Sequence, residues 1–134
     1  MDRPTMRQVM VDFLESLRLR STCSRTQQAC LITDPGFKSI YAMGYNGSAA
    51  GLPHDCRGDQ GKCGCVHAET NAMVKLRTER SDLVLYCTTC PCELCAKMII
   101  NSGQIVAVHF LVEYRDKTGL ELMKKAKLWV RHGD

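Results

Sequence analysis

The chain has 134 residues, enough for one domain with a real core, and residues 1–134 read as a single domain. Its composition, 45% hydrophobic and 24% charged, is that of a globular protein, and the net charge of +4 is scattered rather than gathered into the basic tract of a nucleic-acid binder. No apolar run approaches the roughly 20 residues of a membrane helix, so neither nucleic acid nor membrane is expected as a partner.

Taken in chain order, the first 20 residues carry Met6, Val9, Met10, Phe13, Leu14 and Leu17 at helical spacing. This predicts an amphipathic helix packed on a core, not an export signal. Nine cysteines without an export signal point to metal binding or buried thiols in a reducing, cytoplasmic compartment. Residues 27–33 (QQACLIT) read as a strand, Asp34-Pro35-Gly36 as a turn, and residues 37–43 as a second strand of a hairpin. Residues 44–65 are rich in glycine and polar side chains, and so long a loop in a compact domain is usually functional.

Residues 66–76 have helical propensity, and 83–87 (LVLYC) form an apolar run suited to a buried strand. Residues 91–102 read as a helix, with Pro91 at or near its first position and Gly103 as its stop. Residues 104–111 read as a strand, 120–127 as a helix and 128–131 as a short last strand. The predicted order α-β-β-α-β-α-β-α-β gives an α/β fold: a three-layer α/β/α arrangement with a mixed central sheet of about five strands and helices on both faces.

The stretch CTTCPCELC, residues 87–95, places four cysteines in nine residues. Cys92 and Cys95 are three apart and share one face of the predicted helix, in a first turn whose free N–H groups favour thiolates. His67 opens the preceding helix. One imidazole and two thiolates make three protein ligands, the usual count for a catalytic zinc with its fourth position open to water. Glu69, two residues beyond His67, points away from a shared ligand position but can take a proton from that water and deliver it to a substrate. Alone, His-x-Glu is weak and Cys-x-x-Cys moderate. Together, with 21 residues between Glu69 and Pro91, they form the zinc deaminase signature. The competing reading is a zinc ribbon that pairs Cys63 and Cys65 with Cys92 and Cys95. It leaves Glu69 idle and gives the buried strands no role.

On HAETNA at 67–72 and PCELCAK at 91–97, the chain resembles the zinc-dependent cytidine and deoxycytidylate deaminases. With GYNGS at 44–48 and GLPHDC at 51–56, it resembles within them the deoxycytidylate (dCMP) deaminases of bacterial and phage type, more than the tRNA adenosine or free-nucleoside deaminases. The resemblance spans about residues 23–114. It implies the cytidine deaminase-like fold, zinc on His67, Cys92 and Cys95, Glu69 as proton shuttle, and hydrolysis of dCMP to dUMP for thymidylate synthesis. It implies that Asn46 binds near the sugar, that backbone around Thr88 and Cys90 lines the base pocket, and that Tyr114 lies near the substrate. It also implies a homohexamer activated by dCTP with Mg²⁺ and inhibited by dTTP, the effector lying around Asn46, Gly47 and Ser48. A nucleic-acid base deaminase would need an aromatic-rich basic groove, and at 6% aromatics none is evident.

Three positions depart from the family pattern: Ala49 where proline is common, Gln27-Gln28-Ala29 where Val-Gly-Ala is common, and Thr89-Cys90 before Pro91. The first two are expected near interface or effector surfaces. Of the remaining cysteines, Cys87 is expected in the core, and Cys90 beside the pocket with its sulfur off the metal. Cys23 and Cys30 are expected as small buried thiols. Cys56, Cys63 and Cys65 with His54 would complete a tetrahedral set, although free thiols are the expectation there. His109 is expected as a satisfied core histidine, and His132 in a mobile tail.

Overall fold

The computed structural model describes residues 2–58 and 63–133. Residues 59–62, part of the predicted long loop, lie outside the described residues. Helix α1 (Met6–Leu17) begins where Thr5 caps it: its hydroxyl accepts from the Gln8 amide at 3.1 Å, and its own amide donates to the Gln8 side chain at 2.9 Å. Such a reciprocal cap stabilises a helix start by about 1 kcal/mol. Met10 and Leu14 are buried as the periodicity requires, whereas Met6 and Val9 face outward. A short 3₁₀ turn, Arg18–Arg20, follows.

Strands β1 (Ala29–Thr33) and β2 (Ile40–Tyr45) form the predicted antiparallel hairpin, but both are displaced from their expected limits. The Asp34 carboxylate accepts from the amides of Lys38 and Ser39, at 2.7 and 3.0 Å, so the turn runs to residue 39 and β2 starts later. Phe37, expected in a strand, sits at φ 58° in that turn and packs its ring edge-on to Tyr86. Gln27 and Gln28 lie before β1 rather than in it.

Helix α2 (Ala68–Lys75), β3 (Leu83–Thr89), α3 (Glu93–Ser102), β4 (Ile105–Val112), α4 (Thr118–Lys125) and β5 (Trp129–His132) complete the chain. The sheet order is β2-β1-β3-β4-β5, antiparallel at β2-β1 and β1-β3 and parallel at β3-β4 and β4-β5. The mixed five-stranded sheet agrees with the sequence expectation. Alternation along the strands sends Leu31, Val84 and Tyr86 to α1 on one face. Ile32, Leu85, Val108 and Phe110 go to α2, α3 and α4 on the other. Each of these buried aliphatic or aromatic side chains stabilises the fold by up to roughly 1.5–3 kcal/mol.

His132 is not in a mobile tail: it ends β5, stacks on Phe110 at 5.0 Å and lies 3.7 Å from Glu113. Its strand pairing with Phe110 supplies the order that sequence position alone did not suggest. His109 is buried, and its Nδ1 accepts from the Arg7 guanidinium at 3.0 Å. The same guanidinium donates to the Gly133 carbonyl, so α1 is fastened to the far end of the chain.

Candidate functional site

The site is built where α2 and α3 begin, beside the carboxyl end of β3. His67 and Cys92 are the residues just before these helices, each in extended backbone (ψ 152° and 174°), rather than members of a first turn as the sequence suggests. Cys95 is buried one turn into α3. Pro91 therefore precedes the cap. It prepares the entry into α3 but does not occupy its first position.

Close backbone approach fixes α2. A Cβ on Gly44 of β2 would lie 2.7 Å from both the Ala68 carbonyl oxygen and the Ala72 amide nitrogen, so only glycine lets the helix settle against this strand. The Asn71 side chain donates to the Tyr45 carbonyl at 2.8 Å and pins the same contact. Gly103 closes α3 in the left-handed conformation, as predicted.

His67 Nδ1 lies 3.5 Å from Cys92 Sγ and 3.3 Å from Cys95 Sγ. A tetrahedral zinc with ordinary N and S bond lengths separates such atoms by about 3.6 Å, so the donor set and its spacing fit that ion. The Cys92 thiol is pushed down to about 4, chiefly by the hydrogen bond it accepts from Cys95 and then by His67. Cys95, the donor, is pushed up, and the Cys92 thiolate raises the His67 imidazole. The three groups thus share protons among atoms close enough to share a cation instead. Cys90 is buried and stays out of this group, as expected.

Glu69 is only 7% exposed, and burial raises its carboxyl above the ordinary range, with His67 pulling the other way. It opens onto a partly solvent-exposed cavity. His67, Cys92, Cys90, Asn46 and Tyr114 line the same cavity. Thr88 does not line it: its hydroxyl donates to the Gln28 side chain and accepts from the Ala29 amide at 3.2 Å, tying β3 to β1. Thr89 takes the wall position instead. Asn46 is buried. Its Oδ1 accepts from the Ser21 hydroxyl at 2.6 Å and the Gln28 amide at 2.8 Å, and its Nδ2 donates to the Thr26 carbonyl at 3.0 Å.

Gly47 and Ser48 lie apart from Asn46, in a second concavity with Arg20, Thr22, His54 and Lys75. The predicted effector trio is therefore divided between two places. Arg25 and Gln28 are among the cavity residues missed in the sequence. Arg25 gave no signal among scattered cations, yet it lines both the main cavity and a neighbouring recess that holds Arg57. Gln28 was expected at an interface or effector surface. It lines the main cavity instead, and its Oε1 accepts from the Thr89 hydroxyl at 2.8 Å.

A second cluster brings Cys23, Cys56, Cys63 and Cys65 together, their sulfurs all within 4.8 Å of one another. Cys23, expected only as a buried thiol, occupies the place offered to His54, because the segment after α1 folds over the loop. The ribbon pairing of Cys63 and Cys65 with Cys92 and Cys95 is not formed.

Residues 4–112 match the sequence profile of the cytidine and deoxycytidylate deaminase zinc-binding region. The chain is 32% identical over 126 residues to deoxycytidylate deaminase of Saccharomyces cerevisiae, covering 84% of this chain and 39% of that protein. It is 36% identical over 115 residues to a probable deoxycytidylate deaminase of Caenorhabditis elegans, covering 80% and 57%. The chain thus spans roughly half the length of these curated relatives. Among solved structures, dCMP deaminase of cyanophage S-TIM5 in complex with dCMP and dUMP superposes with a TM-score of 0.82 at 27% identity, over 98% of this chain and 99% of that one.

Proposed function

The chain belongs to the cytidine and deoxycytidylate deaminase family, and from that premise we propose that it hydrolyses dCMP to dUMP and ammonia, supplying dUMP for thymidylate synthesis. The observation that carries this reading is the buried Glu69 carboxyl facing the same cavity as His67 and Cys92, whose donor atoms lie within 4.8 Å of the Cys95 sulfur. Those three residues would hold the zinc. When bound, zinc supplies a hydroxide nucleophile near neutral pH. Glu69 takes the proton released from the water and gives it to N3 of cytosine, which makes C4 electrophilic. It then carries a proton to the exocyclic nitrogen as the C4–N bond breaks, so that water's oxygen stays on the base and ammonia leaves. A carboxyl lifted by burial is suited to holding that proton between the two transfers.

Thr89, Cys90 and the backbone that follows Thr88 wall the base, and Asn46 keeps one Nδ2 hydrogen for the sugar. Tyr114 closes the open side. Arg25 meets the 5′-phosphate, which separates dCMP from deoxycytidine. The second concavity, with Arg20, His54 and Lys75 beside Gly47 and Ser48, offers cations to a polyphosphate, and there dCTP with Mg²⁺ would activate and dTTP inhibit. Ile40, Met43 and Val74 are exposed apolar residues, consistent with burial in a homohexamer. The compartment we propose is the cytoplasm, where nine cysteines stay reduced; among the described residues no helix is long and apolar enough to cross a membrane.

The test is ammonia release from dCMP, dCTP, deoxycytidine and a single-stranded oligonucleotide, each with the zinc-loaded protein. Turnover confined to dCMP is the expected result, and no turnover of dCMP would sink the proposal. Rates measured with dCTP and Mg²⁺ or with dTTP, alongside light-scattering mass, test the effectors and the hexamer.

A further inference from the structure

Gln28 and Thr89 both stand where the chain departs from the family pattern, and the structure bonds them to each other. We infer, resting on the deaminase reading above, that Gln28 is a positioning residue: it holds the Thr89 hydroxyl proton, so that Thr89 Oγ1 meets the nucleotide only as a hydrogen-bond acceptor and selects a 4-amino pyrimidine over a 4-oxo one. Both residues line the cavity that Glu69 faces. The Thr89 hydroxyl donates to Gln28 Oε1 at 2.8 Å, and the Thr88 hydroxyl donates to the same oxygen.

The Gln28 side chain is fixed in this direction. Its Nε2 donates to Thr26 Oγ1 at 2.8 Å, which turns Oε1 toward the two threonines of β3. Its backbone is fixed as well: the Gln28 amide donates to Asn46 Oδ1 at 2.8 Å, and the Gln28 carbonyl accepts from the Asn46 amide at 3.2 Å. Asn46 is itself buried and tied to Ser21 and Thr26. A threonine hydroxyl has one proton and two lone pairs. With the proton given to Gln28, Thr89 Oγ1 keeps only lone pairs for the cavity.

The next two residues add little that can donate. The Cys90 amide is spent on the Val112 carbonyl at 2.9 Å. Pro91 has no amide hydrogen, and the Cys90 thiol is a weak donor. Chemistry at C4 takes place beside Cys92, so residues 89–91, which lead into it, flank that end of the base. A 4-amino group brings two N–H donors to this wall, and the ammonia that leaves brings three. A 4-oxo group brings lone pairs against lone pairs. A polar group shut against a wall that cannot pair with it binds weakly. Gln28 thus decides, through Thr89, which pyrimidine the cavity prefers.

The experiment sets dUMP as a competitive inhibitor against dCMP as substrate, with the zinc-loaded full chain. The ratio of the dUMP Ki to the dCMP KM cancels effects common to both nucleotides, those on the phosphate included. Gln28→Leu lets the Thr89 hydroxyl turn and donate, and should lower that ratio by about tenfold. Gln28→Glu keeps an acceptor for the hydroxyl and should hold the ratio within about twofold. Thr89→Val should lower the ratio as Gln28→Leu does, and combining the two should lower it no further. If Gln28→Leu does not fold, Thr89→Val alone decides. An unchanged ratio overturns the inference. So does an equal fall in Gln28→Leu and Gln28→Glu, which is loss of structure only. So does a loss on dCMP that vanishes with 2′,3′-dideoxycytidine monophosphate, which would set Thr89 against the 3′-hydroxyl. Turnover of dCMP with an unchanged ratio in Gln28→Leu defeats this inference alone. A chain that binds dCMP but leaves it unreacted defeats the deaminase reading, and calorimetric Kd values for the two nucleotides then carry the same comparison.

Discussion

The two clusters of cysteine and histidine side chains differ in every property that decides their use. His67, Cys92 and Cys95 come from two helix starts and supply three donors, and His67 and Cys92 line a cavity shared with a buried carboxyl. Cys23, Cys56, Cys63 and Cys65 come from loops, supply four donors, and have no acid among them. Two helix starts position the first set, and loops position the second. An open coordination position is useful only where the scaffold is already fixed, and a closed one is worth most where it is not.

Glu69→Gln tests the contrast most severely. Turnover should fall by about 10³–10⁴-fold, while zinc content stays that of the unaltered chain. Retained activity, measured by ammonia release, would show that the open centre does not work through this acid.

A pH axis separates both centres from the fold that carries them. Burial, then Arg7 and Arg131, push the His109 imidazole down to about 4. The folded value lies below the ordinary one of about 6.5, so the neutral ring contributes stability above pH 6.5. That contribution, up to about 3 kcal/mol, is lost as pH falls from about 6.5 to about 4. His109→Gln should flatten this part of the curve. Urea midpoints of both proteins at pH 7.5 and 4.5 check it, metal loss being common to the pair.

Arg25→Ala should raise KM for dCMP by about 10–100-fold, with kcat changed less and deoxycytidine, lacking a phosphate, unaffected. Equal losses on both substrates would assign Arg25 to the wall and not to the phosphate. The smallest effect belongs to Cys90→Ala. It should leave the zinc count unchanged and KM within about threefold, since its sulfur lies outside both clusters. A lost ion would redraw the boundary between them.

The part of this picture at the starts of α2 and α3 was legible because its signals are local. His67 with Glu69, and Cys92 with Cys95, sit at spacings that a helix start imposes. The strands could be read from apolar runs at 83–87 and 104–111. What escaped is what long-range packing decides. Cys23 joins Cys56 only once the chain after α1 crosses the loop, a contact between residues 33 apart. Gln28 enters the cavity because β1 begins at Ala29, two residues later than expected, and its side chain accepts from Thr88 and Thr89. His132 is ordered by pairing with Phe110, a partner that no local pattern names. Helix limits shifted for a simpler reason: extended backbone at His67 and Cys92 makes each the residue before its helix, which periodicity cannot distinguish from the first residue within it.

The Arg7 guanidinium that reaches both His109 and the Gly133 carbonyl brings residue 7 beside residue 133. A short peptide joining the ends would then close the backbone into a ring with little distortion of the folded form. The unfolded chain would lose the freedom of its ends, and for a loop of this length that restriction favours folding by on the order of 4 kcal/mol in the chain-entropy picture. A cyclised version should therefore tolerate heat better than the linear one, while both sulfur clusters and the cavity keep their geometry.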